Sequence, residues 1–306
     1  MYDLIIIGGG PAGVAGSVYA ARKHLKTVLI TEEVGGQSVV SEKIENWIGT
    51  PNVSGADLAK MLRAHLDALN PELITLVLGE KVVALEKKDN FLVKTGSGKE
   101  FSAKAVLIVS GARRRQLIVP GAEKFNNKGI TYCASCDGLL FAGQDVAVIG
   151  GGNAGFETAL QLLAYAKSVT LIHRHQDFKA DPITVEKTLA HPNMHVIRNA
   201  EPIEVLGDQF VTGLKYKDKD SGEIQELAVS GIFVEAGVLP NTDFLGTLVA
   251  LDEVKRIKID PHNQRTSADG IWAAGDCTDE LYHQNNIAAG DGAKALEDIY
   301  LWLKKQ

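Results

Sequence analysis

A chain of 306 residues with 45% apolar and 23% charged side chains has the balance of a folded protein with room for two domains, which excludes the disordered and fibrous classes. Its formal charge of −6 argues against a nucleic-acid surface, and three cysteines are too few for a secreted, disulfide-stapled scaffold. The uncharged run from Leu4 to Ala21 is long enough to suggest a membrane helix, but Gly8, Gly9, Gly10, Gly13, Gly16 and Pro11 spoil it as a helix. Asp3 also stands where a leader would carry positive charge. A cytoplasmic protein without targeting segment, membrane partner or nucleic-acid partner is expected.

Taken in order, Tyr2 to Ile7 is a β-branched run of strand length, followed by Gly8-Gly9-Gly10-Pro11-Ala12-Gly13 and a small-residue stretch suited to a helix. Strand, glycine turn and helix make a dinucleotide site. Gly8 permits the tight turn, Gly10 lets backbone approach a pyrophosphate at the helix N-terminus, and Gly13 lets helix pack on strand. The next strand, Thr27 to Thr31, ends at Glu32 and Glu33, where a carboxylate holds ribose hydroxyls. Then come Gly35-Gly36-Gln37, Glu45-Asn46-Trp47, an amphipathic helix near Ala56 to Leu69, alternating strands between Glu80 and Lys94, and a buried strand from Ala105 to Gly111 that ends in a tight turn.

Thr131 to Gly138 carries Cys133 and Cys136 two residues apart, with Asp137 directly after. Such a pair can close a disulfide and exchange it with a partner's, and an adjacent carboxyl can move the proton that exchange requires. A zinc site needs four ligands, and the chain offers only Cys277 besides, so no metal is expected. Cys277 itself is expected in the core. Gln144 to Gly155 then repeats the pattern of Tyr2 to Gly13 at a fixed offset, including the aspartate that opens each strand, so Gly150, Gly152 and Gly155 form a second dinucleotide turn. After a helix from Phe156 to Ala166, the following strand, Ser168 to Ile172, ends in His173-Arg174-His175, with Lys179 further on. A cluster of cationic and hydrogen-bonding side chains there receives a 2′-phosphate that a carboxylate would repel, so the first site suits FAD and the second NADPH. The fold expected is α/β with two Rossmann-like dinucleotide-binding domains. Gly231 to Glu235 is another strand, Gly237 to Asn241 follows, Gly270 to Asp276 is a strand ending at Gly275 and a carboxylate, and a helix from Ile287 to Leu303 closes the chain.

These motifs in this order resemble low-molecular-weight thioredoxin reductase over nearly the whole length. The stretches Thr131 to Gly155 and Gly231 to Thr242 also look like the reductase half of the alkyl hydroperoxide reductase flavoprotein subunit. The resemblance implies a homodimer, with an FAD domain from both chain ends (1–112 and 245–306) around an inserted NADPH domain (113–244). It implies Cys136 nearer the flavin, Cys133 outer and Asp137 as acid and base. It also implies cofactor contacts at Gly36, Gln37, Asn46, Gly111, Gly237, Gly275, Asp276, His283 and Gln284. Some positions depart from the family pattern. Arg-Arg with a downstream Arg is here Arg174-His175 with Lys179, Ala-Thr-Gly is Val109-Ser110-Gly111, and Arg-Gln is His283-Gln284.

The expected activity is transfer of electrons from NADPH through FAD and the Cys133–Cys136 disulfide to a thioredoxin-like protein. One rival keeps the chemistry with NADH and feeds a peroxiredoxin through an adaptor; no fused thioredoxin-like domain is expected before Met1. Another is a flavin-binding redox sensor with little turnover, separable by one turnover assay. A ferredoxin-reduced relative is disfavoured by the intact Gly150 to Gly155 turn.

Overall fold

Leu4, Ile5, Ile6 and Ile7 are buried along their strand, as the centre of a parallel sheet requires. In the computed structural model, which describes residues 1–41 and 44–306, that strand is β1 (Tyr2–Gly9). It is followed by α1 (Pro11–Arg22), β2 (Thr27–Val34), α2 (Gly55–Asp67), β3 (Ile74–Leu78), β4 (Val82–Lys87), β5 (Phe91–Thr95), β6 (Glu100–Ile108) and β7 (Ala112–Arg114). The sheet runs β3-β2-β1-β6-β5-β4. Its β1, β2, β3 and β6 are parallel, and β5 and β4 turn back antiparallel.

A second unit spans Arg114–Val238. Its elements are β8 (Ile130–Thr131), α3 (Ala134–Asp137), β9 (Asp145–Ile149), α4 (Asn153–Leu162), β10 (Ser168–Ile172), α5 (Pro182–Leu189), β11 (Met194–Ile197), β12 (Ala200–Gly207), β13 (Val211–Asp218), β14 (Ile224–Ala228) and β15 (Gly231–Val234). A parallel sheet of order β11-β10-β9-β15-β8 carries the antiparallel meander β12-β13-β14 as a separate sheet. The chain then runs through β16 (Val238–Pro240), which pairs with β7, to β17 (Ile271–Ala273), parallel to β6, and α6 (Asn285–Leu303).

Met1–Arg113 and Leu239–Gln306 form the first unit, so the chain re-enters it at Leu239 rather than at residue 245 as expected. The reason is local bonding. Asn241 N–H donates to Gly111 O at 2.9 Å, the Asn241 amide to Ser110 O at 2.9 Å, and the Ser110 hydroxyl to Asn241 O at 2.7 Å. Among the described residues no helix is long and apolar enough to cross a membrane.

The aspartate that opens each repeat pins the start of the neighbouring strand. Asp3 accepts from the Lys26 N–H at 3.1 Å and the Lys104 ammonium at 3.0 Å, while Asp145 accepts from Lys167 at 2.8 Å and Ser168 at 2.6 Å. Glu80, just before β4, accepts from Lys99 at 2.8 Å and Ser97 at 2.7 Å, and these bonds, that from Lys99 foremost, hold its carboxyl at about 2. That lies below the unfolded value of about 4.3, so the stabilisation is present above about pH 4.3 and is lost as pH falls through the folded value. Glu80→Gln is therefore expected to lower Tm at neutral pH, with the gap from wild type narrowing below about pH 4 in paired thermal melts.

Candidate active site

The first glycine turn is fixed by backbone crowding. Gly8 has φ 119°, and a Cβ there would lie 2.2 Å from Val109 O; a Cβ at Gly13 would lie 2.0 Å from Gly8 O. Gly10 meets nothing within 4 Å and caps α1, so the N-terminus of α1 opens on a cavity of about 660 Å³. Gly8, Gly10, Glu32, Gly36, Gln37, Gly111, Gly275 and Asp276 all line it, together with Asn285 and Ala288 from the first turn of α6. Two helix N-termini, a glycine turn and a carboxylate at the end of β2 are the features of a dinucleotide cradle, and the volume is that of a small-molecule site.

Burial raises the Asp276 carboxyl above its ordinary range, opposed by His283. Gln37 donates to Asp276 at 3.4 Å and Ser38 to Asn285 at 2.7 Å, which joins the segment after β2 to the start of α6. Asn46 donates to Gln284 at 3.1 Å and its carbonyl accepts from Asn286 at 2.6 Å. Asn46, His283 and Gln284 are thus gathered beside α6 but are not among the residues lining the cavity. Sequence reading missed Arg113 and Asp243, which line it and form an ion pair at 2.9 Å; Asn241, which also lines it, was marked only by its place after Leu239-Pro240.

The second turn reproduces the first. Gly150 has φ 130° with a Cβ position 2.2 Å from Glu235 O, a Cβ at Gly155 would lie 2.0 Å from Gly150 O, and Gly152 is open. Gly237 (φ 93°) follows β15 as Gly111 (φ 62°) follows β6. His173 departs from expectation. It is buried, with Nε2 3.0 Å from Asp177 O, and a Cβ on Gly151 would stand 2.6 Å from its ring. Desolvation lowers its pKa, so burial disfavours the charged form, and the ring packs beneath the turn instead of standing free at the strand end. The segment after β10 folds back over it, with Phe178 against Phe156 at 4.8 Å and Lys179 N–H donating to Gly151 O at 3.0 Å. Arg174, His175 and Lys179 are exposed on this segment. Glu235, unmarked in the sequence, is buried next to the turn and accepts from Thr158 at 2.9 Å and from Arg114; burial pushes its carboxyl up, with Arg114 opposing.

In the same unit Cys133 and Cys136 form a disulfide with Cα atoms 5.3 Å apart. Cys133 caps α3, its Sγ accepting from the Cys136 N–H at 3.1 Å; Cys133 is half-buried and Cys136 exposed. Buried Thr131 links the pair to the carboxyl, because its hydroxyl donates to Asp137 and accepts from the Cys133 N–H at 3.2 Å. Cys277 is fully buried, with its thiol 3.4 Å from Ala274 O, and desolvation pushes it up to about 11. Among the described residues no group of three or more His, Cys, Asp or Glu is placed to hold a metal.

Residues 2–292 match the family model for pyridine nucleotide-disulphide oxidoreductase. The chain is 40% identical to an NADH dehydrogenase of Bacillus subtilis over 294 residues, 96% of this chain and 57% of that protein. It is also 40% identical to an alkyl hydroperoxide reductase component of Escherichia coli over 296 residues, again 96% and 57%. It therefore spans less than two thirds of the length of these curated relatives. Its structure is similar to that of Lactococcus lactis thioredoxin reductase in the FR conformation, with TM-score 0.94, 33% identity and full coverage of both chains. It is similar too to thioredoxin reductase of T. acidophilum, with TM-score 0.90, 34% identity and 98% of each chain covered. A family model covering nearly the whole length, on a fold with two glycine turns and a disulfide, places the chain in the pyridine nucleotide-disulphide oxidoreductase family, and it is an oxidoreductase.

Proposed function

We propose that this chain is an NADPH-dependent thioredoxin-disulfide reductase, binding FAD in the first unit and NADPH in the second and passing electrons through Cys133–Cys136 to a thioredoxin-like protein. The observation that carries the reading is a Cys-Ala-Ser-Cys disulfide, half open to solvent, in the same unit as a glycine turn flanked by exposed cations. The likeness to solved thioredoxin reductases over the full chain supports it. A homodimer and a cytoplasmic setting, where dithiols stay reduced, belong to the same proposal.

Gly8, Gly10, Gly13 and the start of α1 would hold the flavin pyrophosphate, Glu32 a ribose, and Gln37, Gly275, Asp276 and the start of α6 its remainder. The bound flavin supplies acceptance of a hydride and delivery of two electrons to the disulfide. The chain's own groups then carry the exchange. Reduction opens Cys133–Cys136 to two thiols. The thiolate presented to the partner attacks its disulfide and forms a mixed disulfide, and the second thiol resolves it, releasing the partner as a dithiol. Asp137, held by the Thr131 hydroxyl, takes and returns the thiol proton.

The donor is tested by steady-state kinetics. Charge-assisted contacts to a 2′-phosphate contribute on the order of 1.5–3 kcal/mol each, so two of them give NADPH a preference of at least about a hundredfold in kcat/KM. Arg174→Ala is expected to shrink that preference about tenfold, mainly through KM for NADPH. A second reading, an NADH-linked reductase feeding a peroxiredoxin through an adaptor, draws support from the names of the two curated relatives. Equal or faster turnover of the wild type with NADH would select it.

A further inference from the structure

β11 lies beside β10 in parallel register with Ile197 against Ile172, so Arg198 and His173 are the first residues beyond two adjacent strand ends. Open α/β sheets take their ligands at this C-terminal edge. The Arg198 guanidinium lies 4.3 Å over the Phe178 ring, and its Nη1 donates to Gln176 O at 3.0 Å. Asn199 holds the same residue through Gln176 Oε1 at 3.0 Å. An exposed arginine is thereby fixed against the segment that carries Arg174, His175 and Lys179 and that is tied by its backbone to Gly151. Among the described residues Arg198 has no acidic partner, and one hydrogen bond engages a group with five N–H donors.

His173 is buried beneath Gly151, which leaves Arg174 as the one guanidinium that the sequence places at this edge. We infer that Arg198 is a selectivity residue which supplies a second guanidinium, beside Arg174, to the 2′-phosphate of the nicotinamide donor. The inference rests on the NADPH reading above. A planar fork stacked on an aromatic ring is already ordered, so it pairs with a phosphate at a smaller entropic cost than a free side chain.

Calorimetric titration of the full chain with adenosine 2′,5′-bisphosphate and with 5′-AMP separates this role from that of a clamp on the loop. Arg198→Gln is expected to weaken the bisphosphate about tenfold, to change 5′-AMP less than about twofold, and to flatten the salt dependence of bisphosphate binding. Arg198→Lys should recover part of the loss, because the charge returns without the fork. Equal weakening of both ligands would show a clamp only and overturn the inference, as would an unchanged bisphosphate affinity in Arg198→Gln. A wild type that binds both ligands equally would overturn the NADPH reading and this inference together. A wild type that prefers the bisphosphate, with that preference intact in Arg198→Gln, would remove the inference alone.

Discussion

Cys136→Ser is expected to abolish reduction of a thioredoxin-like protein by at least about a thousandfold, because a single sulfur cannot form the mixed disulfide and also resolve it. NADPH-driven bleaching of the flavin's visible absorption should persist in the same variant, since the cavity lining and the Gly150 turn do not include Cys136. Cys133→Ser should show the same split. Cys277→Ser is the control: that thiol is fully buried, pushed up to about 11, and has the carbonyls of Ala274 at 3.4 Å and Ile108 at 3.6 Å as alternative acceptors for its one proton, so it takes no part in exchange. Stopped-flow bleaching and a coupled insulin-turbidity or dithiol assay read the two half-reactions separately. Near wild-type protein reduction in either Cys133→Ser or Cys136→Ser would rule out the dithiol route.

Gly155→Val is expected to reduce affinity for the nicotinamide nucleotide by about a hundredfold or more while flavin content stays near one per chain. The first Cβ atom alone would stand 2.0 Å from Gly150 O, a backbone contact that no side-chain rotation relieves, so α4 must retreat from β9 and take its N-terminal N–H groups away from the phosphates. Gly13→Val makes the same intrusion on Gly8 O in the first unit and should instead yield protein that purifies with little flavin. Visible absorbance and fluorescence titration with NADPH measure the two effects. Unchanged nucleotide binding by Gly155→Val would mean that the second turn is not the nucleotide site.

The amino-acid sequence by itself determined the features that the backbone enforces locally. Gly8 and Gly150 must adopt left-handed φ against a neighbouring carbonyl, Gly13 and Gly155 must have no side chain, and Cys133 and Cys136 lie within one helical turn, so each motif brings its geometry with it. The buried strand before Val109 was legible as an apolar run, but β6 covers Glu100–Ile108, and its alternating, half-exposed first half concealed where it began. The meander β12-β13-β14 stayed hidden because its last strand is short and mostly exposed, pairing through backbone rather than through an apolar face. Only tertiary structure decided the fate of the polar side chains. His173 reads as an open group at a strand end until Phe178 and Asp177 fold over it and desolvation disfavours its charged form. Arg198 lies far along the chain from that strand end until parallel pairing of β10 and β11 brings it alongside, and Glu235 gains its partners only when Arg114 and Thr158 converge on it. Backbone constraints are written within a few residues, whereas the charge and reach of a side chain depend on which distant segment excludes water from it.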